Sequence, residues 1–203
     1  MALAAHRTIL VVDVVGFSMP ARTNTHQANI RRALYLLLAQ ALSSIGVRWD
    51  DCEHEDRGDG VLVIVPPTVS KSLFVNLPGE LASVLRTHNA EHPAEEQIRL
   101  RMALHAGEIQ YDAHGVIGRA VILAFRLLDA DVLRTATVDV LGVIVSSWFY
   151  EEVIWHSQAD AYRKVDVQVK ETHVTAWIWT TAPTGGPVGA VPCQLPTNVR
   201  RFV

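Results

Sequence analysis

Cysteine is scarce in this chain, whose 203 residues include only Cys52 and Cys193. The two follow none of the paired spacings, such as C-x-x-C, that hold a structural zinc ion, and a single pair cannot build a disulfide scaffold. The sequence therefore argues against a zinc module and against a disulfide-rich secreted fold. It indicates free thiols in a reducing compartment.

Excess positive charge and long apolar runs are missing as well. The formal net charge is −3, so the chain lacks the basic field that draws a protein to nucleic acid. No stretch approaches the roughly 18 consecutive apolar residues of a membrane span. Asp13 interrupts the apolar segment near the N-terminus, where a signal peptide would continue. We therefore expect a cytoplasmic protein that binds neither nucleic acid nor membrane.

The composition that is present is that of a globular protein, with 49% apolar and 19% charged residues. At Thr181 it changes to a segment rich in proline and glycine, "TAPTGGPVGAVPCQLPTNVRRFV". We expect one folded domain over residues 1–180. An extended tail without a core of its own follows over residues 181–203.

Hydrophobic periodicity predicts an α+β fold. The segment "RTILVVDVV" (7–15) is a β-branched apolar run typical of a buried central strand, and residues 98–109 alternate as a half-buried strand does. The full prediction is strand 7–15, helix 26–42, a hairpin of strands 47–53 and 60–65, helix 70–89 interrupted at Pro78 and Gly79, strand 98–109, helix 119–134, a strand and helix over 143–155 with a serine cap at 146 or 147, and two strands over 162–180.

Charges crowd into the predicted hairpin turn, whose sequence "HEDRGDG" (54–60) leads directly into an apolar run. Asp59 lies in this turn and Asp13 ends the first strand. If the first strand runs between the two hairpin strands, these carboxylates lie side by side and repel each other unless a cation neutralises them. Paired carboxylates suit Mg²⁺, and the carbonyl of Val14 supplies a further oxygen.

The loop after Asp13 offers backbone amides at Gly16, Phe17 and Ser18, which can cradle phosphate oxygens without a basic side chain. Two other interpretations stay open. An aspartate at a strand end and the sequence "GDG" are ordinary turn chemistry. "DVVGFS" also has the form of an aspartyl-phosphate motif, although Val15 stands where such enzymes carry a second aspartate.

Five segments resemble, in order and spacing, the catalytic domain of the class III nucleotide cyclases: "VVDVVGFS", "EDRGDGVLVIVP", "RLRMALHAGEI", "GVIGRAVILAFRLLDA" and "VDVQVKETHVTAWIW". This resemblance implies a ferredoxin-like βαββαβ core with an additional C-terminal helix and strands. It implies a head-to-tail homodimer with active sites in the interface. It also implies a lyase that converts a nucleoside triphosphate to a 3′,5′-cyclic nucleotide and pyrophosphate in cyclic nucleotide signalling.

The resemblance assigns roles to individual residues. Asp13 and Asp59 match the aspartates that hold two Mg²⁺ or Mn²⁺ ions. Arg101 matches the arginine that contacts the triphosphate, Lys170 the phosphate-binding lysine, and Arg126 the arginine that stabilises the transition state from the partner subunit. The set is chemically consistent, because cyclisation needs an activated 3′-hydroxyl and neutralisation of the pyrophosphate charge.

Three positions bear on the substrate. Ile122 stands where the family has a ribose-positioning asparagine, and an aliphatic side chain cannot hydrogen-bond the ribose. Gly115, at a base-reading position, offers no side chain, so adenine recognition in its usual form is not supported. Glu55 matches the glutamate of guanylate cyclases, and a carboxylate accepts hydrogen bonds from guanine. We expect GTP, with a pyrimidine nucleoside triphosphate as the alternative; the other interpretation of Glu55 is an ion pair with Arg57.

Two functions are open at this point. The first is a metal-dependent nucleotide cyclase. The second, motivated by Ile122 and Gly115, is a catalytically degenerate cyclase fold that keeps its dimer and binds a nucleotide or a protein partner. No regulatory domain is evident in the sequence, so control would come from another protein or from the tail.

Overall fold

The computed structural model describes residues 4–136 and 139–181. Its strands are β1 (Ala5–Val14), β2 (Glu53–Asp56), β3 (Gly60–Val65), β4 (Leu100–Asp112), β5 (Gly115–Ile117), β6 (Leu141–Ser146), β7 (Arg163–Val169) and β8 (Thr172–Thr180). Its helices are α1 (Asn24–Ser44), α2 (Leu77–Glu91), α3 (Arg119–Leu128), α4 (Asp131–Arg134), α5 (Ser147–Phe149) and α6 (Trp155–Gln158), with a π-helical turn, Tyr150–Ile154, between the last two.

The described residues build an eight-stranded sheet in the order β2-β3-β1-β4-β6-β8-β7, with β5 paired to β4 outside this path. The first four strands lie in the order β2-β3-β1-β4, and each neighbouring pair among them is antiparallel. With α1 after β1 and α2 after β3, they form a ferredoxin-like βαββαβ unit. Strand β6 extends the sheet parallel to β4, and the hairpin β7–β8 completes it. The predicted α+β class and ferredoxin-like core are confirmed.

The position of β1 differs from the prediction. It runs between β3 and β4, and not between the two strands of the hairpin, because β2 forms the edge of the sheet. The physical reason is polarity: "EHED" in β2 is mostly exposed, whereas the middle of β1 is buried on both faces. Edge strands tolerate charge and central strands do not.

Helices cover both faces of the sheet, and alternate residues of β1 point to opposite sides. Leu10 and Val12 pack in a core with α1 and α2, while Ile9 and Val11 pack in a second core with α3 and α4. All four side chains are almost completely buried. This double burial explains why the middle of β1, residues 9–12, is an unbroken apolar run without alternation.

Several element bounds differ locally from the prediction. Trp49–Asp51 is a 3-10 turn, so β2 begins only at Glu53. The helix predicted over 70–89 is divided into a 3-10 turn and α2, which has Pro78 in its first turn, where a missing N–H costs nothing. The helix predicted over 119–134 breaks between α3 and α4, and β5 was not predicted.

The remaining predictions concern the chain ends, the thiols and the membrane. Cys52 is a free thiol whose pKa is raised by burial to about 11. Within the described ranges, no helix has the length and apolar character needed to cross a membrane. Thr181, assigned to the tail, is buried and its hydroxyl accepts hydrogen bonds from the amides of Val140 and Leu141. Residues 182–203, including Cys193, lie outside the described residues.

Candidate active site

Asp13 and Asp59 lie at the same end of the β1–β3 pair. Asp13 is the register partner of Gly60, and the amide of Val14 donates a hydrogen bond of 2.9 Å to the carbonyl of Asp59. Gly60 permits this close approach, since a Cβ there would lie 2.1 Å from the carbonyl oxygen of Val12. The hairpin turn is thus held against the end of β1, where the charge of Asp59 contributes to raising the pKa of Asp13.

Arg101 on β4 is the cross-strand partner of Asp13 on the other side of β1. Its Nε and Nη2 donate to the two carboxylate oxygens of Asp13 at 2.9 and 2.5 Å. Burial raises the pKa of Asp13 above its usual value and the nearby Asp59 adds to this, while the Arg101 guanidinium opposes the shift. A second cation beside the pair would therefore stabilise the ionised form of Asp13.

The donor set around Asp13 fits a divalent cation that shares its ligands with a phosphate. In the described part of the chain, no three His, Cys, Asp or Glu side chains converge to form an all-protein metal cage. Mg²⁺ is commonly held by one or two carboxylates together with substrate phosphates, which is what Asp13 and Asp59 offer. The carbonyl of Val14 accepts a hydrogen bond from the amide of Phe17 and keeps one lone pair for a cation.

The loop after β1 adopts a tight turn suited to an anion. Because the amide of Phe17 is bound to Val14, the amides of Gly16 and Ser18 are the donors left; neither donates to another described residue. Gly16 has φ +68, and a Cβ there would lie 2.6 Å from the sulfur of Met19. The predicted three-amide cradle is therefore reduced to two amides.

Arg22 holds this loop in place, and the sequence did not single it out. Its guanidinium donates to the carbonyls of Gly16 at 3.0 Å and Gln97 at 2.7 Å. It thereby ties the loop to the segment that precedes β4. A cavity of about 860 Å³ opens beside the loop, between α1 and the hairpin, with Phe17 and Asp59 in its lining. It provides open space next to Asp59.

The charged residues of the hairpin alternate between two sides of β2. Glu53 accepts a hydrogen bond of 2.8 Å from the hydroxyl of Tyr111, and Glu55 accepts one of 2.7 Å from Arg57. The other oxygen of Glu55 lies 2.8 Å from the position that a Cβ on Gly115 would take. The two predicted base-reading positions, Glu55 and Gly115, are therefore neighbours within one chain.

Asp56 points to the opposite side, toward α1. Its carboxylate accepts hydrogen bonds from Arg31 at 2.9 and 2.5 Å and from the hydroxyl of Tyr35 at 2.6 Å. Hydrogen bonds from Arg31 and Tyr35 hold the pKa of Asp56 at about 2, so it stays ionised. Glu55 and Asp56 thus each have a partner of their own, which leaves Asp59 as the carboxylate of the crowded segment that can bind a cation.

Arg126 and Lys170 lie near each other and away from Asp13 and Asp59. Arg126 on α3 donates to Glu171 at 3.1 Å, and its own Nε is buried without a hydrogen-bond partner among the described residues. Lys170 is exposed in the turn between β7 and β8, with φ +51. Strand β8 lies four strand positions from β3, or about 19 Å. One chain does not bring Lys170 to Asp59.

Comparison with known proteins decides the fold. No protein-family model and no curated protein matches the chain. Solved structures do match it. An adenylate/guanylate cyclase/hydrolase from Silicibacter pomeroyi has a TM-score of 0.66 and 19% identity, with 90% of this chain and 100% of that one covered. The guanylyl cyclase Cya2 has a TM-score of 0.58 and 21% identity, with 93% and 97% covered.

The adenylyl cyclase CyaB from P. aeruginosa also matches, with a TM-score of 0.58, 16% identity, and coverage of 91% of this chain and 98% of that one. The fold is that of the class III nucleotide cyclase catalytic domain. The resemblance noted from the sequence is therefore confirmed at the level of the fold.

Within this cyclase fold, the predicted residues form three groups. Asp13, Asp59 and Arg101 meet at the end of β1, with the loop of Gly16, Phe17 and Ser18 beside them. Glu55 meets Gly115 on one side of β2. Arg126 lies near Lys170 and Glu171, and Ile122 is half-exposed on the same helix.

Three residues with a role at the site were missed from the sequence: Arg22, Arg31 and Asp56. Each acts through a contact across 25 or more residues of sequence, as Arg31 does with Asp56 and Arg22 with Gln97. Such contacts leave no local signal. The one available sign was the crowding of the hairpin itself, because carboxylates packed beside a core require neutralising partners.

Proposed function

We propose that this protein is a metal-dependent nucleotide cyclase. The reaction joins the 3′-oxygen of a nucleoside triphosphate to its α-phosphorus, breaks the bond to the β-phosphate oxygen, and releases pyrophosphate and the proton of the 3′-hydroxyl. The observation that carries the proposal is the juxtaposition of Asp13 and Asp59 beside Arg101, at the end of the two central strands of a cyclase fold.

Asp13 and Asp59, with the carbonyl of Val14, would hold Mg²⁺ or Mn²⁺. Two such ions supply activation of the 3′-hydroxyl and neutralisation of phosphate charge when bound. Arg101 is bonded to Asp13 through Nε and Nη2, so Nη1 is the guanidinium nitrogen left to donate to a phosphate oxygen. The amides of Gly16 and Ser18 add donors without further side-chain charge.

The active unit is a homodimer. Arg126 and Lys170 are the cations assigned to the transition state and the triphosphate, and the sheet order separates the Lys170 turn from Asp59. A head-to-tail pair of chains brings Arg126 and Lys170 of one copy to Asp13 and Asp59 of the other. The half-exposed Ile122 on α3 is consistent with a surface that a second copy covers.

The fold alone does not choose the base, because both adenylyl and guanylyl cyclases are among the similar structures. Glu55 favours GTP over ATP, since a carboxylate accepts from the N1–H and amino group of guanine and meets only an acceptor at N1 of adenine. A pyrimidine triphosphate is the second candidate substrate, because Gly115 adds no side chain to the pocket.

The direct test is incubation of the purified protein with Mn²⁺ and each of the four ribonucleoside triphosphates, with detection of cyclic product. We expect product from at least one nucleotide and none from Asp59→Asn. Asp160→Asn is the matched control, because Asp160 is an exposed aspartate in a surface 3-10 turn. Absence of product with all four nucleotides at high protein concentration would overturn the proposal.

A second function is a cyclase-fold module that binds nucleotide without turnover. The observation that favours it is the engagement of Arg126 by Glu171, together with an aliphatic residue, Ile122, at the position that the resemblance assigns to the ribose. Calorimetry distinguishes the two. Metal-dependent nucleotide binding without product supports the module, whereas product formation excludes it.

A further inference from the structure

Arg57 and Glu55 form an accessible ion pair on one side of the hairpin. Their side chains are 43% and 37% exposed, and the Arg57 Nη2 donates to Glu55 Oε2 at 2.7 Å. The second carboxylate oxygen, Oε1, accepts no hydrogen bond from any described residue and faces Gly115. The pair therefore offers a free acceptor directly beside the remaining N–H donors of a guanidinium.

The position of Arg57 is fixed from two directions. Its backbone amide donates to the carbonyl of Gly60 at 2.9 Å, which closes the hairpin. Its guanidinium lies over the ring of Phe125 on α3, 5.1 Å from the ring centroid, in a cation–π contact. A donor held in this way is preorganised for a ligand, so that little side-chain freedom is lost on binding.

Gly115 leaves room for the Glu55 carboxylate. A Cβ at this position would lie 2.8 Å from Oε1, and Gly115 has φ +125, which disfavours any other residue. The absence of a side chain at position 115 thus creates the space that Glu55 occupies. A second base-reading group is then needed from another residue, and Arg57 is adjacent.

We propose that Arg57 and Glu55 together read the base and select those with a carbonyl next to a ring N–H, namely guanine and uracil. Arg57 donates to O6 of guanine or O4 of uracil, and Glu55 accepts from N1–H or N3–H. Adenine and cytosine present the reverse order, an amino donor next to a ring acceptor, and leave both protein groups unpaired. This inference rests on the proposed cyclase function and deepens it.

Binding of 3′-deoxynucleoside triphosphates tests the pair separately from turnover, because these analogues lack the attacking hydroxyl. With Mn²⁺, calorimetry should show that 3′-deoxy-GTP or 3′-deoxy-UTP binds about tenfold or more tightly than the corresponding amino-base analogues, 3′-deoxy-ATP and 3′-deoxy-CTP. Arg57→Met should abolish most of this preference with little effect on the amino-base analogues. Arg57→Lys, which keeps a donor and a charge, should retain part of it.

Arg86→Met is the matched control. Arg86 is 45% exposed, much as Arg57 is, and forms an ion pair of 2.9 Å with Asp139 on a different surface. It should leave the base preference unchanged. Equal binding of all four analogues by the unaltered protein, or a preference that survives in Arg57→Met, would overturn this inference and leave the cyclase proposal standing. Failure of every analogue to bind, together with absence of cyclic product, would overturn the cyclase proposal itself.

Discussion

Asp56 and Arg31 join the hairpin to helix α1 through two parallel hydrogen bonds, at 2.9 and 2.5 Å. Arg31 also donates to the carbonyl of Gly58, the residue before Asp59. Helix α1 therefore holds the turn that carries one of the two candidate metal ligands. This connection gives the hairpin a defined position although β2 is a short edge strand.

Asp56→Asn should weaken this connection without unfolding the protein. The folded-state pKa of Asp56, about 2, lies below the usual value, so its stabilisation is present above about pH 4 and is lost as the pH falls from about 4 toward 2. Because Asp56 is half-exposed, we expect a loss of about 1 kcal/mol or less at pH 7. The unfolding free energies of the two proteins, measured by urea denaturation, should converge near pH 2.

The same variant should raise the Mn²⁺ concentration needed for half-maximal activity, because Asp59 loses its fixed position. Asp51→Asn is the control, since Asp51 makes a longer, exposed contact of 3.8 Å with Arg48. If Asp56→Asn and Asp51→Asn behave alike in both stability and metal dependence, the hairpin does not depend on α1.

The buried ring of His105 should make the unfolding free energy depend on pH as well, in a higher pH range than Asp56 does. Its ring is buried and hydrogen-bonded to Ser146 at 2.7 Å, and burial, with a smaller effect of His6, lowers its pKa to about 4. As the pH falls, His105 is therefore protonated in the unfolded chain at a higher pH than in the folded protein. The unfolding free energy should fall by about 2 to 3 kcal/mol as the pH drops from about 6.5 to 4. His105→Gln should flatten this slope in pH-dependent denaturation. His114→Gln, at an exposed turn residue, should leave the slope unchanged.

Gly60 should tolerate no larger residue. A Cβ would lie 2.1 Å from the Val12 carbonyl oxygen and would force β3 away from β1. We expect Gly60→Ala to lower the unfolding free energy by about 2 to 4 kcal/mol and to reduce activity in parallel. The control is Gly79→Ala in α2, where nothing lies within 4 Å of the added Cβ. That substitution should be neutral or slightly stabilising, because alanine favours a helix.

The proposed division of the site between two chains predicts recovery of activity on mixing. Asp59→Asn and Arg126→Met should each be inactive as homodimers, but their heterodimer contains one site that carries both changes and one that carries neither. At random exchange, about a quarter of the sites are then intact, and the mixture should show about a quarter of the unaltered activity. Mixing Asp13→Asn with Asp59→Asn is the control and should stay inactive, since both changes affect the same half-site. Recovery in the control, or none in the test mixture, would contradict a shared site.

Much of the fold was predictable because its signals are local. The apolar run of β1, the helical spacing of α1 and the alternation of β4 each lie within one stretch of sequence. Strand β5 was missed because three residues are too few to show a period. The helix over 119–134 was predicted as continuous because its apolar spacing persists across Asp129 and Ala130, where the chain leaves the helix.

The site was predictable only in part. Asp13 and Asp59 follow from their places at the end of a strand and in a turn, although the neighbour of β1 was wrong. Glu55 and Gly115 were each noted, but their contact across the chain was not, because sequence spacing carries no information about which side chain fills a vacant position. Arg31 appeared to be an ordinary surface residue of a helix, and only the folded hairpin reveals its partner.

The alternation of side chains along β2 limits which sequence changes this segment can accept. Glu53 and Glu55 face one side and Asp56 faces the other, so substitution at one position disturbs one partner alone. Deleting or inserting a single residue would exchange the sides of every side chain that follows, and would separate Glu55 from Gly115 and Asp56 from α1 at once. The length of the hairpin is therefore under tighter constraint than the identity of most residues within it.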